Sequence, residues 1–108
     1  DLVQENGIAI NLTYGILRAR YRDGFDKPSL LEPDKAYEFS IALNPIAVRF
    51  MKGQKIRLYV SSSDFPNFDR NHNTGADYWS DPVLRPARQT VFHDKAKPSR
   101  LVLPVIPR

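Results

Sequence analysis

The chain has 108 residues, 42% of them apolar, and its 16 Lys and Arg against 12 Asp and Glu leave a formal charge of +4. That length allows one small domain with a modest core, and the basic residues are too dispersed for a nucleic-acid footprint. With no cysteine there is no disulfide framework and no thiolate chemistry, which fits a cytoplasmic location, and no apolar run is long enough to cross a bilayer as a helix.

Period-2 alternation recurs along the chain and predicts strands. Asp1-Leu2-Val3-Gln4 reads as a strand end running into a turn at Glu5-Asn6-Gly7. Ile8, Ile10 and Leu12 alternate with Ala9 and Asn11. Leu17, Ala19 and Tyr21 alternate with Arg18, Arg20 and Arg22, so the three guanidinium groups are expected on one strand face, about 7 Å apart. Like charges at that spacing need an answer: solvent, the acidic surface of another domain, or a substrate carboxylate. Tyr37 to Leu43 and Lys55 to Val60 alternate as well; Gln89–His93 and Arg100–Leu103 do so more weakly. Turn chemistry separates the runs at Arg22-Asp23-Gly24, Glu32-Pro33-Asp34, Asn44-Pro45 and Lys52-Gly53. The pattern of apolar and polar faces predicts an all-β antiparallel sandwich. The strands near Asp1 are expected to lack neighbours, and unpaired edges favour self-association.

The run Ser61-Ser62-Ser63-Asp64-Phe65-Pro66-Asn67-Phe68-Asp69-Arg70-Asn71-His72-Asn73-Thr74-Gly75 leaves the sheet, because Asp, Asn, Pro and Gly favour turns and left-handed backbone. The three serines lack the Gly-x-Ser-x-Gly elbow of a serine nucleophile and read as strand-end hydroxyls that bond locally. His93 and Asp94 are neighbours on one run and point to opposite faces, so they form no dyad. Asp69, Asn71 and Asn73 alternate as in a calcium loop. Thr74 then stands where that loop needs Gly and Ser80 where it needs Glu. The expectation is a metal-free loop in which Asp and Asn side chains accept the loop's own backbone amides. Phe65, Phe68, Tyr78 and Trp79 border it, either as a sugar platform or as anchors onto the fold. Asn11-Leu12-Thr13 is a glycosylation sequon, meaningful only in a secreted eukaryotic protein.

Three blocks carry a resemblance. The loop, a Ser-Ser-Ser strand end followed by Phe65-Pro66 and then Asp69-x-Asn71-x-Asn73-Thr74-Gly75, is similar to the signature loop in the C-terminal β-sandwich of the cocaine esterase / X-prolyl dipeptidyl-peptidase family of serine hydrolases. Gly15-Ile16-Leu17-Arg18-Ala19-Arg20-Tyr21-Arg22 resembles the family's Gly-Ile-x-Arg-x-Arg-Tyr-Arg strand. Pro98-Ser99-Arg100-Leu101-Val102-Leu103-Pro104 resembles its closing strand. The resemblance implies a jelly roll of galactose-binding type, with residues 1–108 as its C-terminal part. It implies a non-catalytic domain that packs on an upstream α/β-hydrolase domain and helps to shape its active site. Ser63, Asp64, Phe65, Pro66, Asp69, Asn71, Asn73, Thr74 and Gly75 would form its structural signature, and Arg18, Arg20 and Arg22 an interdomain contact. The resemblance brings no cofactor, metal, nucleic acid or membrane with it. A carbohydrate-binding module and a stand-alone interaction domain are the other two classes open to such a chain.

Overall fold

A computed structural model describes residues 1–107. The chain is all-β in character, without an α-helix among the described residues, and its sheet is antiparallel throughout. It divides into two units, Asp1–Phe68 and the segment from Asp69 onward.

In the first unit three short strands, β1 (Leu2–Val3), β2 (Ala9–Ile10) and β3 (Lys55–Ile56), form a sheet in the order β2-β1-β3. The first connection follows from its sequence. The Gly7 amide donates to the Gln4 carbonyl (3.0 Å), and the Gln4 amide donates to the Ile8 carbonyl (2.8 Å). Gly7 sits at φ +87°, so the loop Glu5-Asn6-Gly7 is a three-residue hairpin closing on a left-handed glycine. Asn6 Oδ1 accepts the Ile8 amide at 3.0 Å and stiffens the turn. This sets Leu2 opposite Ile10 on one side, while β3 sets Ile56 opposite Leu2 on the other. The pairing continues past the strand: the N-terminal amine donates to the Arg57 carbonyl (2.8 Å) and the Arg57 amide to the Asp1 carbonyl (3.0 Å).

The strand at the start of the chain is therefore central, not an edge short of partners, and the outer edges belong to β2 and β3. Its central place explains why Leu2 and Val3, each 7% exposed, are the only buried residues among those described.

Alternation predicts more strand than forms. Residues 17–22 yield a 3₁₀ turn, Ala19–Tyr21, in place of a strand. Residues 37–43 and 100–103 contain no strand, and 89–93 contribute only the isolated bridge His93–Pro98. The reason is that alternation reports an amphipathic extended stretch, whereas a strand also needs a ladder partner in register. Residues 41–44 come close to one. The Asn44 amide donates to the Tyr14 carbonyl (3.1 Å), the Thr13 hydroxyl donates to the Asn44 carbonyl (2.8 Å), and Gly15 meets the Ala42 backbone. Thr13 with Asn44 and Gly15 with Ala42 is an antiparallel approach. Turns form as expected at Gly24 (φ +125°), Asp34 (φ +59°) and Gly53 (φ +88°), each with left-handed backbone, but no turn forms at Asn44-Pro45, where Asn44 instead bonds to Tyr14 and Thr13.

Candidate functional site

The signature run is best built from its two ends. In the first unit the Ser61 hydroxyl donates to the Ser63 carbonyl (2.9 Å), and the Ser63 amide donates back to Ser61 Oγ (3.3 Å). The serines thus bond locally at the surface. The Phe68 amide donates to the Asp64 carbonyl (3.0 Å), and Asn67 Nδ2 donates to Asp64 Oδ2 (3.3 Å), closing a turn around the cis Phe65–Pro66 bond. Phe68 is the half-buried anchor of this turn, edge-on to Tyr14 with ring centroids 6.3 Å apart.

In the second unit exposed Asp69 begins the run, and Asn71 does what an Asx turn requires: its Oδ1 accepts the Asn73 amide at 3.1 Å. Asn73 takes φ +58° and Gly75 φ +80°, left-handed conformations that Asn and Gly reach most readily. The next contacts reach beyond the loop. Asn73 Nδ2 donates to the Arg85 carbonyl (2.8 Å) while the Arg85 amide donates to the His72 carbonyl (3.0 Å). The Thr74 hydroxyl bonds to Asp81 Oδ2, whose other oxygen accepts the Val83 amide at 3.0 Å. Residues 72–74 and 81–85 are thereby clasped together. Sequence reading identified Asn71, Asn73 and Thr74 but missed Asp81 and Arg85. The Asp81-Pro82 dipeptide is a turn-initiation signal that points to Asp81; nothing local marks Arg85, which enters through its backbone.

The Thr74 hydroxyl, then the Val83 amide, hold the Asp81 carboxyl below the ordinary value of 3.8, with the charges of His72 and Arg85 acting in the same sense. A carboxyl with a lowered folded value contributes its stabilisation above pH 3.8 and loses it as pH falls through that lowered value. An NMR titration should therefore show the Val83 amide shift moving with a midpoint below 3.8. Asp81→Asn should abolish that titration.

The His72 ring lies 5.0 Å from Tyr78, and its Nδ1 is buried without a hydrogen-bond partner. His93 pairs with Pro98 through the backbone, while Asp94 Oδ1 accepts the amides of Ala96 and Lys97 (2.8 Å each), so these neighbours form no dyad. Among the described residues no three His, Asp or Glu side chains gather as a metal site. Tyr78 and Trp79 stand at 84° to one another, so these two rings are not coplanar.

The arginine stripe does not form as a strand face, because Ala19–Tyr21 coils. Arg20 lies in the turn, and its carbonyl accepts the Ser29 amide at 2.7 Å. Arg22, 15% exposed at its side chain, turns inward. Its Nη1 donates to the carbonyls of Ala19 (3.0 Å) and Ser29 (2.7 Å), its Nη2 donates to Ser29 Oγ (2.6 Å), and the guanidinium sits 4.9 Å from the centre of the Tyr37 ring.

The described residues thus offer antiparallel β-structure and a loop clasped by Asn73, Thr74 and Asp81. The chain belongs to the family described as the X-Pro dipeptidyl-peptidase C-terminal non-catalytic domain, whose match spans residues 2–102. It is 37% identical over 105 residues to the cocaine esterase of Rhodococcus sp. (strain MB1 Bresler), a match that covers 95% of this chain and 18% of the esterase. No solved structure matches the chain.

Proposed function

We propose that this chain serves as the accessory β-sandwich of an α/β-hydrolase of X-prolyl dipeptidyl-peptidase or acyl-esterase type, packing on the catalytic domain of the same parent and helping to shape its active-site entrance. The observation that carries this reading is the family match over residues 2–102, combined with an esterase relative in which the matched segment is less than a fifth of the length. The surface supports it. Apolar side chains that alternate as a core face should, among them Phe39, Ile41, Leu58 and Val60, are exposed and suited to burial against another domain. The jelly-roll strand order belongs to the same proposal. Arg18, Arg20 and Arg22 are the proposed contacts to acidic groups on the catalytic domain, and Arg22 also closes its own loop.

The test is turnover. The 108-residue chain should hydrolyse neither p-nitrophenyl esters nor X-Pro-p-nitroanilides above buffer, whereas the parent protein should hydrolyse one of the two. Activity in the chain that disappears on replacing Ser61, Ser62 or Ser63 would overturn the reading, as would a parent inert towards both substrates.

A further inference from the structure

Asn6-Gly7 is the only Asn-Gly pair of the chain. An asparagine before glycine carries both halves of a reaction. The next backbone nitrogen is a nucleophile held close to the side-chain carbonyl carbon, and glycine has no Cβ to shield that nitrogen. The β1–β2 hairpin arranges the two halves. Asn6 Oδ1 accepts the Ile8 amide (3.0 Å), which folds the side-chain carbonyl back over the Gly7 peptide and sets a donor where negative charge gathers during addition. The nucleophile, in contrast, is restrained. The Gly7 amide donates to the Gln4 carbonyl (3.0 Å), and that bond holds the proton that must leave before the nitrogen attacks. Asn6 and Gly7 are exposed, and beyond the neighbouring residues no atom lies within 4 Å of where a Cβ on Gly7 would stand, so water reaches the turn.

We propose that Asn6 is a site of spontaneous intramolecular deamidation, with the Gln4–Gly7 hydrogen bond as its brake. The Gly7 nitrogen loses its proton to hydroxide and bonds to Asn6 Cγ. The Cγ–Nδ2 bond breaks, ammonia leaves, and a cyclic imide remains. Water then opens the imide at either carbonyl and leaves aspartate or isoaspartate at this position. Nothing is oxidised or reduced. Both products place a new carboxylate beside Glu5. Isoaspartate also routes the backbone through the side chain, which adds a carbon to a three-residue loop. Gln4 and Ile8 can then no longer keep the bonds that set Leu2 opposite Ile10. The modification therefore strikes the strand that carries Leu2 and Val3, the buried residues of the fold.

The test is ageing of the 108-residue chain at mildly alkaline pH, native and in urea. Tryptic peptide mass, with fragmentation that separates aspartate from isoaspartate, gives the rate at each asparagine. In urea Asn6 should convert sooner than any other asparagine of the chain. In the native chain it should convert about ten-fold more slowly, the protection of a turn that opens locally at modest cost. Low urea that speeds hydrogen exchange of the Gly7 amide should speed the conversion by the same factor. The isoaspartyl chain, separated by charge, should melt below an Asn6→Asp variant, which carries the same charge on an unaltered backbone. Three results would overturn the proposal: no conversion at Asn6 in urea, native conversion as fast as in urea, or an isoaspartyl chain that melts with the Asn6→Asp variant.

Discussion

Replacing Arg22 with Ala should destabilise the chain by about 2–4 kcal/mol, because one side chain closes the whole 19–29 loop. Three hydrogen bonds from a charged donor are lost together, each of a kind worth roughly 1.5–3 kcal/mol on its own and less than additive as a set. Two of the acceptors are the carbonyls of Ala19 and Ser29, which the guanidinium reaches from a part-buried position. The stacking of the cation against Tyr37 is lost as well. Arg22→Lys should recover less than half of the loss, since an ammonium is a point donor and cannot span Ala19, Ser29 and the ring as a planar fork does. Urea unfolding of both variants checks this. An Arg22→Ala chain as stable as the original would mean that the loop is held by other contacts.

The Gly15→Ala substitution should be of comparable weight, about 1–3 kcal/mol by the usual cost of overpacking. A methyl group there would collide with the Ala42 carbonyl oxygen and stand 3.0 Å from both the Ala42 carbonyl carbon and Ile41 Cγ2. The Ala42 backbone is not the end of a flexible side chain, so the two segments would have to move apart. The Thr13–Asn44 and Asn44–Tyr14 bonds would be strained with them. A thermal melt of Gly15→Ala should fall by several degrees, and the amide of Asn44 should exchange faster with solvent. An unchanged melt together with an unchanged Asn44 exchange rate would show that the segments do not approach so closely. The contact also gives a physical reason for glycine at the head of the Gly15–Arg22 block, one that its alternating pattern does not disclose.

Local chemistry was legible from the sequence. Asn6-Gly7, Asp23-Gly24 and Lys52-Gly53 predict turns because glycine accepts backbone that other residues resist, and each turn stands where it was expected. Asn71 forms the anticipated Asx turn for the same local reason: its acceptor and the amide of Asn73 are two residues apart. The class of the protein was legible too, because the spacing of three motif blocks survives in one short chain. Pairing was decided by tertiary structure alone. β1 finds Ile56 more than fifty residues away, and nothing near Leu2 names that partner. Ala19–Tyr21 coils despite its alternation, and the inward turn of Arg22 depends on carbonyls that only the folded 20–29 loop brings within reach. Asp81 acquires its role when Thr74 arrives beside it. Turn geometry is set by a residue and its immediate neighbours, whereas a ladder, a clamp and a clasp each need a partner that chain distance hides.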